Sequence, residues 1–191
     1  MSSSTGNRWS RSKRVSTSSS RQLRSEHASY AGCDTMYVLD TSALLSRHMP
    51  DGPCAITHLV LDEVRDERSH DFVTSHLSAG TLVVCDPGPE AIERVRNEKR
   101  RSGDDLSEAD ISVIALAYEH DGTVCTDDYG VQNVAERMGV SWLSTKTRGI
   151  QTVVTWKKRC PGCGRTYDSE SDYVCEICGT QLKRILTKRR R

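Results

Sequence analysis

An α/β domain with a parallel sheet covered on both faces, followed by a small cysteine-rich module, is the architecture this sequence predicts. Two observations carry it. Short apolar runs alternate with longer segments whose apolar residues recur at helical spacing, and four of the eight cysteines crowd into two C-x-x-C pairs between residues 160 and 178. A chain of 191 residues, 36% hydrophobic and 28% charged, has room for one ordinary domain plus such a module, but not for two large cores.

Residues 1–35 are predicted as a disordered tail. From Met1 to about Ser29 the segment is rich in Ser and Arg and nearly devoid of large apolar residues, so it cannot bury enough surface to offset its ordering entropy. Ser/Arg richness also fits an organelle transit peptide, and Met36, directly before the first apolar strand, is an alternative start. No apolar run approaches the roughly 20 residues that cross a bilayer. No secretory signal opens the chain either, which predicts a cytoplasmic protein without a membrane partner.

The domain proper is predicted over residues 36–148. Tyr37-Val38-Leu39 is a short strand ending in Asp40, with a helix start at Thr41-Ser42-Ala43. Helices follow from His58 to Arg68 and from about Asp71 to Ser78, then the strand Leu82–Cys85. Pro89–Arg101 is helical, with acids near its start and Lys99, Arg100 and Arg101 at its end, as the helix dipole favours. Ser107 and Asp110 form a capping box before Ile111, Ile114, Ala115 and Tyr118. Thr123–Thr126 is a strand, Asp128–Met138 a helix stopped by Gly139, and Val140–Leu143 the next strand. In a parallel sheet of this kind, functional groups gather at the carboxyl ends of the strands.

Charge is unevenly spread. Residues 1–30 hold six Lys/Arg against one acid, residues 31–155 eleven against twenty-one, and residues 156–191 ten against four. Basic ends suit a polyanion, whereas an acidic centre repels one unless a divalent cation intervenes.

Asp40, Glu63, Asp110, Asp127 and Asp128 are the candidate catalytic acids. Singly each has a plain structural role: Asp40 and Asp127 can cap helices, Asp110 completes its box, and Glu63 sits among Asp62, Asp66 and Glu67 on a solvated face. Jointly they suggest more, because Asp40 and Asp127-Asp128 both follow strand ends and share one rim. Oxygen ligands without His suit Mg²⁺ or Mn²⁺, ions that activate water and stabilise charge on a phosphodiester.

The strand Tyr37–Asp40 with Thr41-Ser42-Ala43, the stretch Leu106-Ser107-Glu108-Ala109-Asp110-Ile111, and Thr126-Asp127-Asp128-Tyr129-Gly130-Val131-Gln132-Asn133-Val134 together resemble the PIN nuclease domain. With the cysteine module behind it, the chain is similar to the NIN-one-binding (Nob) family of endoribonucleases. The resemblance covers residues 36 to about 185. It implies a metal-dependent endoribonuclease that matures the 3′ end of small-subunit (16S) rRNA in an assembling pre-30S or pre-40S particle, with a KH-domain assembly factor as a further partner. It also implies that Asp40, Asp110 and Asp128 hold the metal, with Glu63 assisting and Asp127 as neighbour or additional ligand. Eukaryotic members carry extra sequence between nuclease and ribbon, so the compact layout here looks archaeal. A toxin-like PIN ribonuclease cutting tRNA or mRNA and a non-catalytic rRNA-binding assembly factor are the alternatives.

Cys160, Cys163, Cys175 and Cys178 form a zinc ribbon in this reading, predicted over residues 149–185 with a basic tail at 186–191. Eleven residues separate the pairs, a spacing that lets two turns offer four thiolates to one tetrahedral Zn²⁺ with no position left for water. Gly164 and Gly179 follow the pairs, where tight turns bring backbone amides to sulfur, and Tyr173-Val174 begins a return strand. Lys157, Lys158, Arg159, Arg165, Lys183, Arg184 and Lys188–Arg191, with Trp156, Tyr167 and Tyr173 for stacking, make the ribbon a candidate RNA-binding surface. Arg94, Arg96, Lys99, Arg100 and Arg101 read as an ordinary charged helix face. Cys33, Cys54, Cys85 and Cys125 share no ligand spacing, and Cys85 and Cys125 read as small buried hydrophobes.

Overall fold

In the computed structural model, residues 10–11, 36–47, 49–144, 149–150, 152–168 and 170–190 are described. Six strands form one sheet in the order β1-β6-β5-β2-β3-β4, and three more form a second in the order β8-β7-β9. In the first sheet β2 (Tyr37–Leu39), β3 (Cys54–Ile56), β4 (Leu82–Val84), β5 (Thr123–Cys125) and β6 (Ser141–Ser144) are parallel; only β1 (Ser10–Arg11) runs antiparallel, on β6. The predicted tail of residues 1–35 lies outside the described residues except at this β1 pair.

Chain order places the site. From β2 the chain steps to β3 and β4, then returns across the sheet to β5 on the other side of β2. The β2/β5 junction is therefore the switch point of the sheet, where a crevice opens beyond the carboxyl ends of two adjacent strands. Asp40 follows β2, and Thr126-Asp127-Asp128 follows β5.

Helix boundaries follow from local chemistry. Asp40 caps α1 (Thr41–Ser46), Asp66 caps α3 (Glu67–Ser78) and Asp128 caps α6 (Tyr129–Met138), each by accepting from first-turn amides. Pro89 opens α4 (Pro89–Ser102), which Gly103 ends, and α6 ends at Gly139, both glycines left-handed. The capping box at Ser107 and Asp110 is present on α5 (Glu108–Glu119). That helix is buried on nearly all sides, with Ile111, Val113, Ile114 and Leu116 in the core shared by Val38, Leu39, Val124 and Val134. Cys125 is fully buried in the same core and Cys85 half-buried against it, while Cys33 lies outside the described residues.

Four elements differ from expectation. The helix expected over His58–Arg68 ends early: α2 is His58–Glu63, Val64 is extended, and Asp66 starts α3 by accepting from Ser69 N. Strand β3, three fully buried residues, is too short to show alternation. In the second sheet, β7 (Val153–Arg159) and β9 (Lys183–Arg190) form a long antiparallel pair beside β8 (Thr166–Tyr167), so residues 186–190, expected as a tail, extend a strand. The return strand expected at Tyr173-Val174 amounts to a single bridge, Val174 to Gln181. No helix among the described residues is long and apolar enough to cross a membrane.

Candidate active site

Three helix N-termini, those of α1, α5 and α6, converge beyond the carboxyl ends of β2 and β5. The plain and functional roles of their acids coexist, because a cap uses only part of a carboxylate's acceptor capacity. Asp110 Oδ2 accepts from Ser107 N at 2.8 Å, and Asp128 Oδ1 accepts from Gly130 N and Val131 N at 2.6 and 3.1 Å. Glu63, on α2, accepts from Thr41 Oγ1 at Oε2, 2.7 Å away. Among the described residues, each of these three side chains retains one oxygen outside its hydrogen bonds.

Asp40 is the most enclosed, 4% exposed. Its Oδ1 accepts from Thr41 N at 2.6 Å and its Oδ2 from Thr126 Oγ1 at 2.6 Å and Ser42 Oγ at 3.1 Å. Burial pushes its carboxyl up from 3.8 to about 6; the Thr126 hydrogen bond opposes the rise and the charge of Asp110 adds to it. Asp110 is also raised, first by burial and further by Asp128 and Glu63. The four acids thus share one repulsive field. Among the described residues none of them has a Lys, Arg or His ion-pair partner. Their oxygens do not close to within 4.8 Å as a set.

Asp127 stands apart. Its Oδ1 accepts from Ser144 Oγ on β6 at 2.5 Å, and its backbone amide donates to Ser42 Oγ at 3.0 Å, so it braces the rim sideways. Two hydroxyls that sequence reasoning quoted without a role organise the acids. Thr126 Oγ1 donates to Asp40 and accepts from Asp128 N at 3.0 Å, and Ser42 Oγ links Asp40 to Asp127. Hydroxyl residues directly beside strand-end acids were the available signal.

Gln132 and Asn133 are fully buried and face the second sheet. Gln132 Nε2 donates to Thr126 O at 3.0 Å while its Oε1 accepts from Ile150 N at 2.9 Å. Asn133 bonds both backbone groups of Val154, and four residues on, Arg137 reaches Thr155 Oγ1 at 3.0 Å. One face of α6 therefore fixes the cysteine module against the nuclease rim.

In that module Cys160, Cys163, Cys175 and Cys178 bring their four sulfurs within 4.8 Å of one another, the only such group among the described residues. The two knuckles repeat one geometry. Gly164 N and Gly179 N bond the carbonyls of Cys160 and Cys175 at 3.0 and 2.9 Å, with φ at +76° and +68°, in the left-handed region that favours glycine. Tyr167 Oη, 3.0 Å from Cys175 Sγ, lowers that thiol to about 6, and Thr180 lowers Cys178, whereas Cys163, although the Arg165 backbone bond lowers it, is raised to about 11 by the Cys175 thiol beside it. Four sulfurs so close together can fill the tetrahedral shell of a thiophilic cation. Cys54, Cys125 and Cys85 are instead pushed up by burial.

The basic residues divide. Arg96, Arg100 and Arg101 pair with Glu108, Glu93 and Glu98, the ordinary charged helix face expected. Lys157 pairs with Asp168, Lys158 lies over the Tyr173 ring, and Arg184 over the Trp156 ring at 4.3 Å, while Arg165 and Lys183 are exposed.

The family described as the PIN domain of ribonuclease matches residues 37–120. Endoribonuclease Nob1 of Pyrococcus abyssi is 38% identical over 156 residues, 80% of this chain and 95% of that protein. The chain belongs to the Nob1 endoribonuclease family. Endoribonuclease Nob1 of Methanothermobacter thermautotrophicus is also 38% identical, over 81% of this chain and 93% of its own length. Ribonuclease VapC1 of Thermoplasma acidophilum is 32% identical over 81% and 80% of the two chains. As a Nob1 family member the chain is an endoribonuclease, a hydrolase of phosphodiester bonds, and nucleases of the PIN fold work with divalent metal ions.

Proposed function

We propose that this endoribonuclease matures the 3′ end of small-subunit rRNA, cutting its precursor within an assembling ribosomal particle in the cytoplasm. Near-complete coverage of the Nob1 relatives, 95% and 93% of their own lengths, carries this reading. In it Asp40, Asp110 and Asp128 hold Mg²⁺ or Mn²⁺. Such an ion, when bound, lowers the pKa of water and neutralises charge that builds on the phosphodiester. Thr126 and Ser42 keep Asp40 aimed at the site by occupying its Oδ2. Glu63 orients the attacking water and takes its proton at Oε1, the oxygen that Thr41 leaves open. In-line attack then leaves 5′-phosphate and 3′-hydroxyl ends, and Asp127 serves as a brace.

Cys160, Cys163, Cys175 and Cys178 hold one structural Zn²⁺, whose filled shell has no place for substrate. The ribbon docks RNA through Arg165, Lys183 and the basic strand β9, and a KH-domain assembly factor accompanies the particle. Asp40→Asn tests the catalytic assignment. The variant should bind RNA with near-normal affinity and lose manganese-dependent cleavage; undiminished cleavage would refute the role of Asp40.

A further inference from the structure

Between α6 and the C-terminal sheet the surfaces part to leave a cleft of about 520 Å³, within the span of sites that hold small molecules, roughly 300–1,000 Å³. Asp128 and Tyr129 line it from α6, Trp156 and Arg184 from β7 and β9, and Asp105 from the loop before α5. We propose that this cleft receives one base of the RNA strand next to the scissile phosphate and selects guanine. The proposal rests on the acid rim being where RNA is cut.

Continuity with the rim is the first support. Asp128 belongs to both places, so the cleft adjoins the acids. The walls are the second. Arg184 donates to Gly103 O at 2.8 Å, sits 3.8 Å from Asp104 and covers the Trp156 ring at 4.3 Å, so guanidinium and indole are held as one preformed planar stack. A base stacks on such a surface at small entropic cost. Tyr129, from the facing wall, is 55% exposed in a chain with a single Phe, an aromatic left open beside a cleft that also holds the tryptophan.

Edge chemistry chooses the base. The Asp104 carboxylate is buried and spent on Asn133 and Arg184. Asp105 is exposed, lines the cleft, and among the described residues has neither hydrogen bond nor ion pair. A free carboxylate accepts only, and its two oxygens match two parallel N–H donors. Guanine offers such a pair at N1 and N2. Uracil offers one N–H between two carbonyls that a carboxylate repels, and adenine and cytosine offer only an amino group.

The test uses the full-length protein. Guanosine, adenosine, cytidine and uridine are titrated while the Trp156 indole N–H resonance, assigned by its loss in Trp156→Phe, is followed by NMR. In parallel, four short RNAs differing only in the nucleotide beside the cut are cleaved with Mn²⁺ by the natural protein and by Asp105→Asn. Guanosine should move the Trp156 resonance at concentrations on the order of tenfold below uridine, as losing one bidentate contact implies. Asp105→Asn, an exposed and nearly isosteric change, should erase that difference and the matching preference in cleavage. An unmoved Trp156 resonance, together with a base preference identical in Asp105→Asn, overturns the cleft and leaves the endoribonuclease reading intact. Guanosine binding that needs Asp105, in a protein that cuts none of the RNAs, supports the cleft and counts against the rim as the place of cleavage.

Discussion

Asn133 bonds Val154 as a neighbouring strand would: its Nδ2 donates to Val154 O at 3.1 Å and its Oδ1 accepts from Val154 N at 2.8 Å. The same amide donates to buried Asp104, so one side chain joins the nuclease domain, the cysteine module and the wall of the cleft. Asn133→Ala takes the acceptor from the Val154 amide and leaves Val154 O to Arg137 and Asp104 to Arg184, an unmet buried group costing about 1–3 kcal/mol. The expected outcome is local. Hydrogen exchange at Val154 should accelerate by orders of magnitude while the amides of α5 keep most of their protection.

Asp40 is stable in its pocket as the acid and strained as the anion. Its folded pKa lies near 6 against an ordinary 3.8, so the folded state holds the extra proton and gains stability below about pH 4 that is lost as pH rises through 6. The displacement corresponds to about 3 kcal/mol as an upper bound. Asp40→Asn escapes this loss. Without divalent ions at pH 7.5 its Tm should exceed that of the natural protein by a few degrees, and Mn²⁺ should raise the Tm of the natural protein only. A lower Tm for the variant would contradict the electrostatic account.

Thr126 tunes the same group. Its hydrogen bond lowers the Asp40 pKa, so Thr126→Val should move the acid limb of the pH–cleavage profile to higher pH, whereas Thr126→Ser, which keeps the hydroxyl, should restore it. A profile that falls in height without moving would assign Thr126 a packing role instead.

The cysteine module has its own small core of Cys160, Cys175 and Leu182, with Tyr167 packed on it, and shares no residue with the main core. One equivalent of zinc per chain is expected by elemental analysis. Stripping it with a chelator under reducing conditions should unfold β7–β9 and leave the domain around α5 folded, because the thiolates have little else to hold them. A metal-free chain with β7–β9 intact would contradict the zinc assignment.

Much of this was legible in the sequence. The acids announced themselves because strand ends and helix caps write them at fixed places: Asp40 after an apolar triplet, Asp110 inside a capping box, Asp128 ahead of an amphipathic helix. The paired cysteines needed only their spacing. The switch point was not readable, because it depends on β5 crossing back beside β2, a long-range pairing that periodicity does not encode. Nor was β3, three residues long and buried on both faces. Gln132 and Asn133 looked like part of a family signature with no chemistry attached, since a polar pair on a helix reveals its purpose only once β7 lies against it. Asp127 and Asp128 were inseparable for a related reason; Ser144, on the neighbouring strand, draws one of them away.

The central claim is that this acid rim cuts small-subunit rRNA precursor at its mature 3′ end. The direct measurement is to incubate the protein with Mn²⁺ and an RNA spanning that junction, then map both new ends at nucleotide resolution. A single cut at the junction is predicted, with a 3′-hydroxyl upstream and a 5′-phosphate downstream, lost in Asp40→Asn and Asp110→Asn. Cleavage elsewhere with the junction untouched, or a junction cut that survives both substitutions, would contradict the account.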